Sequence, residues 1–199
     1  MRYFGELLSA KLEQAGIAGG GGLRNGRVPA RAKRLYRHRN SRDLKTVLTA
    51  TLEYSNNFIA NALFLKLANR GQGRPLGMTG AQRAFARWVD KTFDWRGYRI
   101  EDGAGLSRGN RLSARQLLEV VRAFAPYREL LPTKDPRVRA KTGTLRGVST
   151  YAGFVRRGGR WEPFSLLINQ PVSPDFRLRV ARALAEAPNL SRLCPGGGC

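Results

Sequence analysis

The patterning of this chain predicts an α/β (α+β) fold in which helices pack on an antiparallel sheet. Three observations carry the prediction. Up to Phe124, apolar residues recur at helical spacing, in segments broken by Gly and Pro. From Val138 to Asn169 the pattern changes to alternating or continuous apolar runs, joined across Gly158-Gly159, a two-residue hairpin signal. A last helical pattern then follows Ser173-Pro174-Asp175.

Taken in order, the first helix carries Leu7, Leu8, Leu12 and Ile17 roughly on one face, and Gly19 to Gly22 end it. Its start, Met1 to Glu6, has no apolar core of signal-peptide type. Gly19 to Ala32 is loop or irregular strand, and Arg31 to Arg42, with His38, is a solvated basic connection. Leu44, Val47, Leu48, Thr51 and Leu52 predict a second helix, running into Tyr54-Ser55-Asn56-Asn57. A third follows at once, with Phe58, Ile59, Ala62, Leu63 and Leu67 as its expected buried stripe and Gly71 beyond its end. Ser55 and Asn57 therefore fall at a helix junction. Such a junction can aim polar side chains into a cleft, although Ser and Asn also stand at helix starts simply as caps.

After a turn-rich break at Gly71 to Gly77, Thr79-Gly80-Ala81-Gln82 reads as a capping box opening a helix with Phe85, Trp88 and Val89 inward. Asp102 to Arg108 is a tight Gly-rich loop. Ser113-Ala114-Arg115-Gln116 is a second capping box, and its helix runs through Phe124 to a stop at Pro126. The β-rich part should be a three-stranded meander formed by the Lys141 strand, Val148 to Arg156 and Trp161 to Asn169. Phe164, Leu166, Leu167 and Ile168 suit a strand flanked on both sides. The last helix carries Phe176, Val180 and Leu184. No internal repeat or flexible interdomain linker is visible.

The composition sets limits on function. Of 199 residues, 42% are hydrophobic, which is enough for a core. No apolar run approaches the length of a membrane span. The formal net charge of +22 predicts non-specific affinity for polyanions. The cations are spread along the chain, whereas dedicated nucleic-acid domains gather them in a patch. The single histidine, His38, is far from Cys194 and Cys199, so no metal site is expected, and no cofactor either. The two cysteines can close a ring across three glycines or remain thiols.

The stretch with most chemistry is Arg139-Ala140-Lys141-Thr142-Gly143-Thr144-Leu145. Its period-two pattern predicts a strand with Lys141 on the non-core face. Gly143 leaves the backbone unobstructed for a ligand laid along the edge. Lys141 offers charge, Thr142 a hydroxyl, and the amide of Thr144 a candidate oxyanion donor.

Ser55-Asn56-Asn57, Asp102 to Arg108 and Lys141-Thr142-Gly143-Thr144-Leu145, in this order, resemble the D-alanyl-D-alanine carboxypeptidase/endopeptidase family, the class C low-molecular-mass penicillin-binding proteins. The similarity runs from about Tyr3 to Glu186. It implies part of a penicillin-binding, transpeptidase-like domain at 1–188, followed by a flexible Cys/Gly tail at 189–199. By resemblance, Ser55 relays a proton toward the leaving amine and Asn57 bonds the substrate's peptide amide. Lys141 and Thr142 hold the terminal carboxylate, Gly143 keeps the strand edge open, and the Thr144 amide forms half of the oxyanion hole. The implied partners are peptidoglycan stem peptides and β-lactams, and the implied place is the periplasm or cell envelope.

One part of the family pattern is not found. An acylating enzyme needs a Ser-x-x-Lys, with the Lys one helical turn after the nucleophile. Ser9, Ser41 and Ser55 have Leu12, Leu44 and Phe58 at that offset, and no other serine fits. The expectation is therefore a truncated member, the C-terminal half of the catalytic domain, inactive alone and completed by a separate segment carrying Ser-x-x-Lys. The stretch from Pro126 to Arg137 is also shorter than the family's connection. The alternative is a non-catalytic basic protein that binds wall polymer or nucleic acid.

Overall fold

The computed structural model describes residues 2–19, 22–71 and 76–187. The tail expected at 189–199, with Cys194 and Cys199, lies outside them. The chain forms two compact units, Met1–Ser41 and Arg42–Cys199.

In the first unit, helix α1 spans Arg2–Gln14. It ends earlier than the glycine run suggested. Gly16 turns left-handed at φ +75°, and the Ile17 N–H folds back to the Leu12 carbonyl at 2.9 Å. None of its residues is buried. Residues 22–41 contain no helix or strand, and every Arg and Lys from Arg24 to Arg39 is exposed.

The second unit contains α2 (Leu44–Tyr54), α3 (Asn57–Ala68), α4 (Met78–Phe93), α5 (Ala114–Ala123), a 3-10 turn (Ala125–Leu130), β1 (Thr133–Asp135), β2 (Val138–Leu145), β3 (Val148–Arg157), β4 (Arg160–Ile168) and α6 (Phe176–Glu186). The sheet is antiparallel with order β1-β2-β3-β4, one strand more than the sequence predicted. The addition, β1, is only three residues long and pairs at Thr133↔Arg139 and Asp135↔Val138. The β3–β4 hairpin turns through Gly158 and Gly159 at φ +52° and +79°, the two left-handed residues that a tight primed turn requires. Among the described residues, β4 ends the sheet with β3 as its one neighbour.

Alternation gives the sheet two apolar faces. Val138, Ala140, Tyr151, Val155 and Phe164 pack against Ala181 and Ala185 of α6. Phe154, on the other face, packs with Val121 of α5, Leu131, Leu52 and Trp161. Burial of each large side chain stabilises the unit by about 1.5–3 kcal/mol. Asp135 fastens β1 to α6. It is 8% exposed and accepts from the Arg137 N–H at 2.9 Å and from Arg182 Nε at 2.8 Å. Those bonds, the Arg137 amide first, hold its carboxyl below the usual carboxylate range.

Two helix expectations are corrected. The buried residues of α3 are Phe64 and Ala68, while Phe58 and Leu67 are exposed. The helix is apolar on nearly every side, so periodicity could not select its inner face. In α4, Gly77 occupies the N-cap with no side-chain bond, and Gln82 donates to the Glu101 carbonyl at 2.7 Å, so no capping box forms at Thr79. Ala81 and Val89 are buried there, and Trp88 is half exposed. The Ser113–Gln116 box forms with both of its bonds.

Candidate active site

Ser55 closes α2 in the left-handed region, at φ 53° and ψ 50°, and its N–H caps the Thr51 carbonyl. A non-glycine residue there costs about 1–2 kcal/mol. The conformation turns the chain within one residue, so α3 begins at once. Capping of α3 falls to Asn56, whose Oδ1 accepts from the Ile59 N–H at 3.0 Å. That leaves the side chains of Ser55 and Asn57 outside the N-cap of α3. Asn57 is exposed on the first turn of α3, and among the described residues no hydrogen bond engages its side chain.

Lys141 sits on the same face of β2 as Arg139, whose guanidinium lies over the Trp161 ring at 5.7 Å. Its Nζ donates to Ser55 Oγ and, at 3.0 Å, to its neighbour's carbonyl on Thr142. The structure thus brings residues 86 positions apart into direct contact. Burial pushes the Lys141 ammonium below its ordinary pKa. Lys134 and Arg177 push the same way, and Glu53 opposes them.

Thr142 and Thr144 alternate to the opposite face, following Val138 and Ala140. Gly143 stands opposite Thr150 in β3, and a Cβ there would collide with Thr150 Oγ1. The space beside Gly143 therefore belongs to a strand neighbour. Among the described residues, the outer edge of β2 is paired only at its start. β1 pairs with Val138 and Arg139, and the Ala140 N–H donates to the Pro132 carbonyl at 3.0 Å.

The Asp102 loop forms the next wall. Asp102 accepts from the N–H groups of Gly105, Leu106 and Ser107 at 2.5, 3.2 and 2.7 Å. Ser107 Oγ donates to Glu101, and Asn110 Oδ1 accepts from the Glu101 N–H at 2.7 Å. Two contacts place the loop. The Gly103 N–H donates to Asn61 Oδ1 at 2.9 Å, one turn along α3 from Asn57. Arg108 Nη2 donates to the Arg146 carbonyl at 2.9 Å, at the β2–β3 turn. The three motif segments are therefore contiguous. Among the described residues, no group of His, Cys, Asp and Glu could hold a metal ion.

Sequence reasoning missed Arg177 of α6, which reaches β2 and β3 from the far side of the sheet. No local pattern links it to residues 34 positions earlier.

The sequence matches the D-Ala-D-Ala carboxypeptidase 3 (S13) family over residues 1–135 and 127–187. The chain belongs to that family. It is 27% identical over 206 residues to D-alanyl-D-alanine carboxypeptidase DacB of Haemophilus influenzae, which spans 91% of this chain and 43% of the relative. It is 28% identical over 233 residues to the D-alanyl-D-alanine carboxypeptidase of Actinomadura sp. strain R39, 96% of this chain and 42% of the relative. Among solved structures, penicillin binding protein 4 of Haemophilus influenzae, complexed with a β-lactam, superposes with a TM-score of 0.76 at 24% identity. That match covers 93% of this chain and 50% of the other, and it shows the fold. The chain thus spans less than half the length of these curated relatives. Among the described residues, no helix is long and apolar enough to cross a membrane.

Proposed function

We propose that this chain carries the leaving-group and oxyanion side of a serine-type D-Ala-D-Ala carboxypeptidase site acting on peptidoglycan stem peptides in the cell envelope. The observation that carries the proposal is the Lys141–Ser55 contact, made between two of the three motif segments of a family member. Ser55 Oγ accepts from the ammonium, so its own proton is free to go to the amine of the departing D-alanine. Lys141 replaces that proton, and its lowered pKa eases the transfer. Lys141 takes the terminal carboxylate, while the Thr142 side chain, opposite Tyr151, lies on the other face of β2. Asn57 bonds the substrate amide, and the Thr144 N–H faces the carbonyl oxygen as it gains charge.

The nucleophile is the complementary part. No serine in these 199 residues is followed three positions later by Lys. In this proposal the Ser-x-x-Lys comes from polypeptide outside them, whether joined or separate. The free edge of β4 offers a place for such a segment to pair, since an unpaired apolar edge favours association. A second reading, a non-catalytic basic protein that binds polyanions, is favoured by one feature: the exposed cations from Arg24 to Arg39.

The experiment is acylation by a fluorescent penicillin, followed by mass spectrometry. The 199-residue chain alone should form no covalent adduct. The chain co-expressed with a family segment bearing Ser-x-x-Lys should acylate, and Lys141→Ala should slow that by about 100-fold. An adduct on a serine of this chain alone would show that the nucleophile is misplaced. A soluble complex that never acylates would favour the polyanion reading.

A further inference from the structure

Arg177 is the second residue of α6, and it lies on the face of the sheet opposite Lys141. Its Nη1 donates to the Gly143 carbonyl at 2.8 Å, to Thr144 Oγ1 at 2.9 Å and to the Thr150 carbonyl at 3.4 Å. Gly143 and Thr150 are partners across the β2–β3 ladder. One nitrogen near both carbonyls places the Gly143 oxygen on the β3 side of its strand. No described peptide is cis, so in the Gly143–Thr144 unit the N–H points opposite to the C=O. The Thr144 N–H therefore faces the outer edge of β2, where β1 no longer pairs.

We propose that Arg177 is a positioning residue that clamps and polarises the Gly143–Thr144 peptide, fixing the Thr144 N–H as a strong outward donor. The proposal rests on the reading of that N–H as an oxyanion donor. A charge-assisted bond to the carbonyl oxygen draws electrons from the nitrogen through amide resonance, and the N–H becomes a better donor. The Thr144 hydroxyl and the Thr150 carbonyl bind the same nitrogen, so the peptide plane cannot rock without breaking a second bond. An oxyanion donor gains most when its direction is set before charge develops. Among the described residues the guanidinium makes no ion pair with a carboxylate. The same cation contributes to the depressed pKa of Lys141, which places its field at the site.

The test is NMR on the 13C,15N-labelled chain as wild type, Arg177→Gln and Arg177→Lys, each checked for a cooperative melt. Gln should shift the Gly143 carbonyl carbon and the Thr144 amide proton upfield, and Lys should restore much of both shifts. A structural role for Arg177 alone would not give that graded signature at one peptide. If Gln cannot be folded, the partial shift in Lys carries the decision. An unchanged Gly143 carbonyl in a folded variant overturns the clamp. Addition of N-acetyl-D-Ala-D-Ala should move the Thr144 amide in the wild type and lose that response in Gln. If the wild type ignores the peptide while the carbonyl shifts appear as expected, the carboxypeptidase reading falls and the clamp stands.

Discussion

In the 101–110 loop one carboxylate, Asp102, collects three backbone N–H groups from within five residues of itself. At the Ser55–Lys141 seam a hydroxyl and an ammonium meet across 86 residues, and both groups sit in unfavourable settings. Ser55 is left-handed without being glycine, and Lys141 carries its charge half-buried. The loop is short-range and satisfied, whereas the seam is long-range and strained. Strain of this kind persists where the surrounding fold over-determines it, and it clusters at sites that do chemistry. The loop therefore belongs with what makes the unit stable, and the seam with what the unit gives up stability to keep.

The largest test of that contrast is Asp102→Ala. It removes the acceptor for three N–H groups in a half-buried loop. The expected loss is about 2–4 kcal/mol, since bonds to charged acceptors are the strong ones. Urea unfolding measures it. A loss under about 0.5 kcal/mol would mean that water replaces the carboxylate and the loop is no structural anchor.

A smaller effect is expected at Ser55, where two substitutions separate strain from chemistry. Ser55→Ala and Ser55→Gly both remove the hydroxyl that receives Lys141, but only glycine relaxes φ 53°. Gly should be more stable than Ala by about 1 kcal/mol, and both should disable proton relay equally in an acylating complex. Equal stabilities would show that the turn is not strained.

The same contrast explains what could be read from the residues alone. The Gly158-Gly159 hairpin and the Ser113–Gln116 box were legible because each is decided within four residues. The Thr79 box was not, because the Gln82 amide goes to a carbonyl 19 residues away. The inner face of α3 was hidden by its near-uniform apolarity, and β1 by its length of three residues. At the candidate site, motif order singled out Ser55, Asn57 and Lys141, of which Ser55 and Lys141 meet in the fold. The role of Asn56 as the cap, the Thr150 hydroxyl filling the space beside Gly143, and Arg177 behind it all depend on tertiary packing.

The smallest effect is at Lys141 and concerns its sign with pH. Burial lowers the pKa of its ammonium in the fold, whereas in the unfolded chain it stays near the ordinary lysine value of about 10.4. Between the two values the unfolded chain holds the proton and the folded chain does not. Stability attributable to Lys141 must then rise with pH across that window and stay constant, at its penalised level, below it. Lys141→Met, which keeps the stem and removes the charge, should be more stable than the wild type at pH 7. The gain should stay under about 1 kcal/mol, because the side chain is only half-buried and solvent screens the charge. That advantage should shrink as pH climbs through the lowered pKa toward the ordinary one. Paired urea titrations of the two proteins from pH 7 to 10.5 cancel every other titrating group that they share. A wild type more stable than Met at neutral pH would mean that the bonds to Ser55 and Thr142 outweigh desolvation. The seam would then be a stabilising contact like the Asp102 loop, and the distinction between the two regions would fail.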